Sequence, residues 1–262
     1  MSSFSRVKNQ LHAKSVLLVS RLEADMHRIM LFWVMAASFA CGLRIVVTWP
    51  RAAFWEHALA LLPYGLVVGA PVASLMLAFR WFRNGERFDQ PRRSFLRFGA
   101  WKAVGLAEAK GMPLYGATGL MASLMLGILI NVPIRSLEFL TAIPAVTAEP
   151  VWLGRLSTLM LADVVLLSSL YCIAFVAALR HVPLFPQLMA MVWAIDIIMQ
   201  ATIYYALQHS AQLPDQVDVA LHDLLAGNAK KVLISVAIWA PYLFLSRRVN
   251  LTYRHRVPAE RG

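Results

Sequence analysis

Hydrophobic residues along the chain fall into six long runs, separated by shorter polar or basic segments. The runs lie near residues 29–49, 59–79, 113–134, 157–179, 185–207 and 231–246. About 20 apolar residues in a helix cross a hydrocarbon layer of about 30 Å, and each run except the short last one has that length. The pattern predicts an all-α fold, namely a polytopic integral membrane bundle of six transmembrane helices.

The segments between the runs predict how the chain is divided. In residues 1–27, apolar side chains at mostly helical spacing alternate with basic ones, which is typical of an amphipathic helix on a membrane surface. A frayed, solvated tail is the alternative for this segment. The remaining predicted parts are a two-span hairpin (28–80), a basic, aromatic cytoplasmic loop (81–112), a four-span module (113–253) and a basic tail (254–262).

Composition and charge support the membrane and predict an orientation. The chain is 59% hydrophobic and 15% charged, with a net charge of +11. In a soluble protein that charge would suggest a nucleic-acid partner, but nineteen of the 25 basic residues fall before the first run, in the loop after the second, at residue 180 or after the sixth. Basic residues concentrate on the cytoplasmic side of membrane proteins. We therefore expect both termini in the cytoplasm and no nucleic acid.

Two basic groups are placed to meet lipid headgroups. In the loop that follows the second run, arginines and a lysine alternate with aromatic residues, and two more arginines end the sixth run directly. Such segments bind anionic lipid at the cytoplasmic face. The predicted headgroup contacts are Arg92, Arg93, Arg97, Lys102, Arg247 and Arg248.

Small residues in two of the runs predict close helix packing. Gly65 and Gly69 form a GxxxG pair in the second run. In the third run, small and polar residues recur every three or four positions, at Gly116, Gly119, Ser123, Gly127, Asn131, Arg135 and Glu138. Small-residue seams let helix backbones approach closely in lipid. We expect them to contact neighbouring helices, including those of another membrane protein.

Asp196 in the fifth run is the most costly residue of the chain, because a carboxylate in the hydrocarbon layer is poorly solvated. Gln200 and Tyr204 follow at four-residue steps and share its helix face. Asp163 lies in the fourth run and needs a partner, for which Arg44 and Arg135 are the candidates. The group is either a proton or cation site or a paired or protonated structural element.

Other chemistries find little support in the sequence. An intramembrane aspartyl protease needs two carboxylates that share a proton, but Asp163 and Asp196 have plain apolar neighbours, and their estimated depths differ by about 7 Å. The polar segment from His209 to Asp223 matches no compact metal-ligand motif. Cys41 and Cys172 lie inside predicted spans. We expect no metal or other cofactor, and no enzymatic activity is indicated.

Three segments resemble a bacterial membrane family known as domain of unknown function 2569. They are "GMPLYGATGLMASLMLGILINVPIRSL", the basic turn "LRHVPLFPQ", and "IWAPYLFLSRRVNLTY" with its Trp-x-Pro-Tyr and Ser-Arg-Arg-Val elements. The likeness covers about residues 110–255, and members usually have four spans, so the first two spans depart from the pattern. The resemblance implies a four-helix module of a bacterial inner membrane without assigned activity.

Two functions remain open at this point. The first is a non-enzymatic accessory or interaction subunit, since the sequence has no catalytic signature and has seams suited to foreign helices. The second is a small proton- or ion-coupled transporter that uses Asp196 and Asp163, since ionisable residues within a membrane usually carry function.

Overall fold

The computed structural model describes residues 3–48, 61–91, 100–142, 151–208 and 214–259. Its secondary structure is almost entirely helical. The elements are α1 (Ser3–Ala24), α2 (Met26–Thr48), α3 (Leu62–Trp81), β1 (Trp101–Ala103), α4 (Leu106–Lys110), α5 (Leu120–Ala142), α6 (Val151–Leu179), α7 (Phe185–Gln208), α8 (Asp215–Leu245), α9 (Arg247–Arg254) and β2 (Arg256–Pro258).

The prediction of a polytopic, all-α membrane bundle is confirmed. Within the described residues, α2, α3, α5, α6 and α7 are long and apolar enough to cross a membrane. The helices α8 and α9 pass the same test together, with a bend of 67° between them, and make the number six if the pair is one span. The chain is therefore a multi-pass membrane protein with five or six spans.

The third span lies further along the chain than predicted. The sequence placed it at residues 113–134, whereas α5 begins at Leu120 and ends at Ala142. Gly116 and Gly119 adopt φ angles of 107° and 67°, a region open to glycine but strained for other residues. Both therefore belong to a turn before the helix, and the predicted small-residue stripe loses its first two members.

The helix that contains the sixth predicted run begins earlier than that run. The sequence placed residues 209–231 largely in an outer loop, but α8 starts at Asp215, directly after Pro214. Asp215 and Asp218 occupy its first turn, where negative charge interacts favourably with the helix dipole. After Leu245 the chain extends at Ser246 and turns into α9.

Helix α6 is the centre of the bundle. In its most apolar stretch 56% of the residues are buried within the protein, against 11% for α2. Helices α3, α5 and α7 pack directly on α6, while α8 packs on α7 and α2 packs mainly on α3. Because α3 contacts α6 extensively, the predicted hairpin of residues 28–80 is joined to the four-span module in one bundle.

The N-terminal segment is a helix that packs on the bundle. Leu22 and Met26 are buried in the main core, and Glu23 lies 2.9 Å from Arg180 in an ion pair. The Ser15 hydroxyl accepts a hydrogen bond from the Gly119 amide at 2.9 Å. Over the part of residues 1–27 that is described, the segment is helical, and its position on a membrane surface stays a prediction.

One end of the bundle carries a folded layer, here called the cap, formed by residues 82–91, 100–119, 180–184 and 246–259. Within it, β1 and β2 pair antiparallel, with Trp101 opposite Pro258. The Tyr253 hydroxyl donates to the Ala178 carbonyl at 2.8 Å. The predicted cytoplasmic loop and the predicted basic tail are thus joined to each other, and Arg254, expected in that tail, is buried.

Candidate functional site

Five buried side chains from three membrane helices meet in a hydrogen-bonded group, here called the polar cluster. Arg135 Nη1 lies 2.9 Å from Asp163 Oδ2, and Arg135 Nη2 pairs with Asp196 Oδ2. The Tyr171 hydroxyl donates to Asp196 Oδ2 at 2.8 Å. The Gln200 amide donates to Asp163 Oδ1 at 3.2 Å. The cluster therefore joins α5, α6 and α7.

Helical spacing explains why these side chains converge. Asp163 and Tyr171 are eight positions apart on α6, and Asp196 and Gln200 are four apart on α7, so each pair shares one helix face. These faces point into the bundle, since Asp196 is fully buried and the others are at most 7% exposed. Arg135 enters from α5, and its guanidinium carbon lies 5.7 Å from the centre of the Tyr171 ring.

The charges of the polar cluster do not balance. One guanidinium faces two carboxylates, which leaves one negative charge when all three groups are ionised. In the described part of the chain, Asp196 Oδ1, Gln200 Oε1 and Arg135 Nε have no hydrogen-bond partner. A buried charge without compensation is strongly unfavourable. The cluster therefore calls for a proton or a cation.

A cleft of about 190 Å³ between α5 and α8 leads to the polar cluster. Its floor includes Tyr171 of α6 and Trp193 of α7, and Arg135 also lines it. Glu138 of α5 and Lys231 of α8 form an ion pair of 2.6 Å across the cleft. The Lys231 side chain is 65% exposed, and an exposed pair contributes about 0–1 kcal/mol. This ion pair alone therefore contributes little to holding α5 and α8 together.

Of the two candidate partners of Asp163, the structure shows Arg135 in contact with it. Arg135 pairs with Asp163, whereas Arg44 is half-buried on α2 and interacts electrostatically with Tyr64 of α3. The estimated difference in depth between Asp163 and Asp196 does not keep their carboxylates from a common partner. Both carboxylates reach the same guanidinium.

Tyr204 does not join the polar cluster, although it follows Gln200 by one helical turn. Its ring lies 5.5 Å from the ring of His222 on α8, and its hydroxyl accepts a hydrogen bond from Gln208. Gln200 bonds to Asp163 of α6, whereas Tyr204, one turn later on α7, lies against α8. Tyr204 therefore contributes to the contact between α7 and α8.

Sequence reasoning missed Tyr171 as a member of the polar cluster. The available signal was its position two turns after Asp163 on one face of α6. It also missed Lys231, the first residue of the predicted sixth run, as a residue of the site. Lys231 contacts Asn228 at 3.2 Å as well as Glu138.

The predicted headgroup residues have different environments. Lys102 lies exposed in β1, and Arg247 is exposed at the start of α9. Arg248 is partly buried and donates to the Thr118 hydroxyl at 2.6 Å, so its contact is within the cap rather than free for lipid. Predicted contacts that lie outside the described residues are Arg92, Arg93 and Arg97.

Small residues of the predicted seams do not pack closely within the chain. A Cβ atom built at Gly65, Gly69 or Gly127 would meet no heavy atom within 4 Å. Ser123 is exposed on α5. Gly127 lines the α5–α8 cleft, while Gly65 and Gly69 lie on an exposed part of α3.

The cap contains a second group of titratable residues. The His181 ring lies 5.5 Å from the Tyr115 ring and 6.1 Å from the Tyr253 ring, measured between centres. Burial lowers the pKa of His181 to about 4, with Glu86 opposing the shift. The hydrogen bond from Lys110 lowers the pKa of Glu86. Neutral His181 is thus an aromatic packing residue.

Within the described residues, no group of three or more His, Cys, Asp or Glu side chains is arranged to hold a metal ion. Cys41 and Cys172 are buried free thiols. No family model matches the chain, and no curated protein or solved structure matches it. The resemblance to domain of unknown function 2569 stays a prediction.

Proposed function

We propose that this multi-pass membrane protein is a small proton- or cation-coupled transporter in which Asp163 and Asp196 bind the coupling ion. The observation that carries the proposal is the uncompensated charge of the polar cluster. With one guanidinium and two carboxylates, the cluster becomes neutral when one carboxylate takes up a proton or a cation, which is the step that a coupling site performs. Here Arg135 faces two carboxylates in a region where lipid solvates neither.

The connection between the cluster and the α5–α8 cleft supports a transport role. Arg135 and Tyr171 belong to the polar cluster and also line the cleft. A solute in the cleft therefore contacts the two groups that hold Asp196. A change in their hydrogen bonds alters how strongly the carboxylates bind a proton or cation, which is the energetic linkage that coupled transport requires.

Proton movement in proteoliposomes tests the proposal. A pH-sensitive dye in the lumen is recorded while salts of Na⁺ or K⁺, or small organic solutes, are added outside. We expect at least one addition to drive proton flux through the wild-type protein. Asp163→Asn and Asp196→Asn should abolish that flux while the protein keeps its elution profile in detergent.

The matched control is Asp223→Asn, which removes an exposed carboxylate of α8 outside the polar cluster. This variant should transport like the wild type. A proton flux in both Asp163→Asn and Asp196→Asn that equals the wild-type flux would rule out these two residues as the coupling site.

For the orientation, we propose a bacterial inner membrane with both termini in the cytoplasm. The cap contains many of the basic residues, including Lys102, Lys110 and Arg247, and basic segments favour the cytoplasmic side. Anionic headgroups are the lipid partners of the exposed basic residues. Reporter fusions within residues 100–112 should be active on the cytoplasmic side, and periplasmic activity would reverse the assignment.

A second candidate function is an accessory subunit that binds another membrane protein. Gly65 and Gly69 lie exposed on α3, with open space where a side chain would begin. Such a pair admits the backbone of a foreign helix. Gly69→Leu should then remove a stoichiometric partner that co-purifies with the wild type in mild detergent. Equal co-purification with both proteins would contradict this role for the pair.

A further inference from the structure

We infer that the α5–α8 cleft binds a small carboxylate with an apolar body, and that its binding is coupled to proton uptake by Asp163 and Asp196. This inference names the substrate class of the proposed transporter and rests on that function. It starts from the separation of charges around the cleft.

Groups that line the cleft carry a net positive charge. Arg135 and Lys231 are cationic, and Glu138 is anionic. Among the described residues, the carboxylates of Asp163 and Asp196 belong to the polar cluster but not to the cleft lining. A solute that enters the cleft therefore meets the guanidinium before it meets either aspartate. Once one carboxyl of the cluster is protonated, no excess negative charge opposes the guanidinium, and this order then favours an anion over a cation.

The walls of the cleft favour an apolar body on that anion. Leu124, Ile128 and Val232 provide aliphatic surface, and Trp193 and Trp239 provide aromatic surface. The volume of about 190 Å³ compares with about 150 Å³ for an engineered apolar cavity that holds benzene. A carboxylate with a single ring or a short chain fits this space.

Arg135 can connect the solute to the aspartates. A guanidinium has five N–H donors in a planar fork that suits carboxylates. Arg135 uses Nη1 and Nη2 for Asp163 and Asp196, and its Nε has no partner among the described residues. A bound carboxylate competes for these donors and weakens the hold of Arg135 on the aspartates.

Charge balance then requires a proton. The titratable and charged groups that face Asp163 and Asp196 are Arg135 and Glu138 of α5 and Tyr171 of α6, while Lys231 of α8 acts through its pair with Glu138. One more negative charge in this enclosure raises the proton affinity of the carboxylates. A proton from bulk water binds to a carboxylate oxygen, and no covalent bond between heavy atoms forms or breaks.

Three probes of nearly equal shape test the charge preference. Benzoate, benzamide and benzylammonium are titrated calorimetrically into the purified protein in phosphatidylcholine nanodiscs. We expect benzoate to bind at least about tenfold more tightly than either of the others, because it is the one probe that pairs with Arg135. Tighter binding of benzylammonium or equal binding of all three would overturn the inference.

Two glycine variants locate the site without removing a charge. Gly127→Leu places a side chain in the cleft, and Gly69→Leu places the same side chain on the exposed part of α3. Neither Cβ meets a heavy atom within 4 Å, so both variants should fold. Gly127→Leu should weaken benzoate binding by about tenfold or more through loss of space. Unchanged binding in Gly127→Leu, or equal loss in both variants, would place the site elsewhere.

Arg135→Lys examines the role of the guanidinium while keeping its charge. The lysine lacks the planar fork, so benzoate affinity should fall by about tenfold. A circular dichroism melt in the same nanodiscs reports whether the variant is folded. Folded Arg135→Lys protein with wild-type affinity would exclude the planar guanidinium fork as the anion contact.

Proton coupling is measured in two ways. The first is the pH dependence of benzoate affinity, and the second is the difference in binding heat between two buffers of different ionisation enthalpy, because a proton taken up by the protein comes from the buffer. Between about pH 6 and pH 8 benzoate stays ionised. Uptake of one proton should tighten its binding by up to about tenfold for each unit that the pH falls. In Asp163→Asn/Asp196→Asn protein this dependence should vanish. Affinity independent of pH in the wild type would refute the coupling.

A second set of nanodiscs separates a water-borne carboxylate from a lipid headgroup. Phosphatidylglycerol in place of part of the phosphatidylcholine should leave benzoate binding unchanged if the cleft takes small carboxylates. Competition by this lipid would overturn the small-carboxylate assignment in favour of a headgroup site. Absence of benzoate binding together with Asp196-dependent proton flux would refute this inference while leaving the proposed transport function in place.

Discussion

Polar groups are buried in two regions of the molecule, the polar cluster and the cap, and the two regions satisfy them differently. In the cluster, side chains bond to side chains on other helices, and the charges are unequal. In the cap, side chains bond largely to backbone groups, as Gln90 does to the Tyr253 carbonyl at 3.1 Å and Asn250 to the Phe244 carbonyl at 3.1 Å.

This difference separates a region suited to binding from a region that holds the chain together. Backbone partners in the cap are fixed in place and neutral, so these hydrogen bonds need neither a proton nor a ligand to be complete. The polar cluster has an unpartnered carboxylate oxygen on Asp196 and borders a cleft. Loss of one charged group should therefore cost more in the cluster than loss of one neutral contact in the cap.

The largest effect is expected for Arg135→Met. It leaves Asp163 and Asp196 without their cation, and the loss of one partner from a buried ion pair costs about 3–5 kcal/mol. Unfolding in detergent, followed by circular dichroism, measures the change in the free energy of unfolding. Adding Asp163→Asn and Asp196→Asn to this variant should restore most of the loss. A stable Arg135→Met protein would remove the contrast between cluster and cap.

A smaller loss is expected for Gly85→Ala in the cap. A Cβ atom at this position would lie 2.6 Å from Val182 Cγ2 and 2.8 Å from the Arg180 carbonyl oxygen. Overpacking of this kind costs about 1–3 kcal/mol, and the melting temperature in detergent should fall.

Gly105→Ala is the control for Gly85→Ala, because a Cβ atom there meets nothing within 4 Å and φ is −68°. The melting temperature of Gly105→Ala should equal that of the wild type. A similar decrease for both variants would mean that the loss does not come from the Val182 contact.

Acid should weaken the cap through His181. Burial lowers the pKa of His181 to about 4 from its ordinary value of 6.5, so between these values the unfolded chain binds a proton that the folded chain does not. The free energy of unfolding should therefore decrease as the pH falls from about 6.5 to about 4, by an amount on the order of 1–2 kcal/mol.

His181→Asn removes this titration and suits the positive φ of 53°. Stability measured across the same pH range should then decline less steeply than in the wild type. An identical decline in both proteins would assign the acid sensitivity to other groups.

The smallest effect is expected for Tyr253→Phe. This change removes the hydroxyl that donates to the Ala178 carbonyl and keeps the ring against Phe185, 5.0 Å away between centres. One neutral hydrogen bond contributes about 0.5–1.5 kcal/mol, so the melting temperature should fall slightly. A loss as large as that for Arg135→Met would show that the cap is no less sensitive than the cluster.

Hydrophobic runs predicted the helices well, because a membrane span needs an apolar segment of fixed length. Helix boundaries were less predictable, for two physical reasons. The turn at Gly116 and Gly119 depends on positive φ angles, which composition does not reveal. The first half of α8 is polar, so hydropathy alone excluded it from the sixth span.

For the candidate site, the sequence identified the charged members and Gln200 but missed the hydroxyl donor Tyr171. Asp163, Asp196 and Arg135 are conspicuous because charge within an apolar run is costly, and Gln200 followed from its spacing. A tyrosine is common in apolar helices, so Tyr171 carried no such signal. The depth comparison counted helical rise alone, whereas the long Arg135 side chain reaches both carboxylates.

The pairing of β1 with β2 has a consequence for biosynthesis. Strand β1 leaves the ribosome before α5 to α8 are made, whereas β2, its partner, lies within the last residues of the described chain. Synthesis proceeds from the N-terminus, so β1 has no strand to pair with until four long helices have followed it. Closure of the sheet must therefore wait until residues 256–258 have been made, and a chain cut short before residue 256 cannot complete its own end layer.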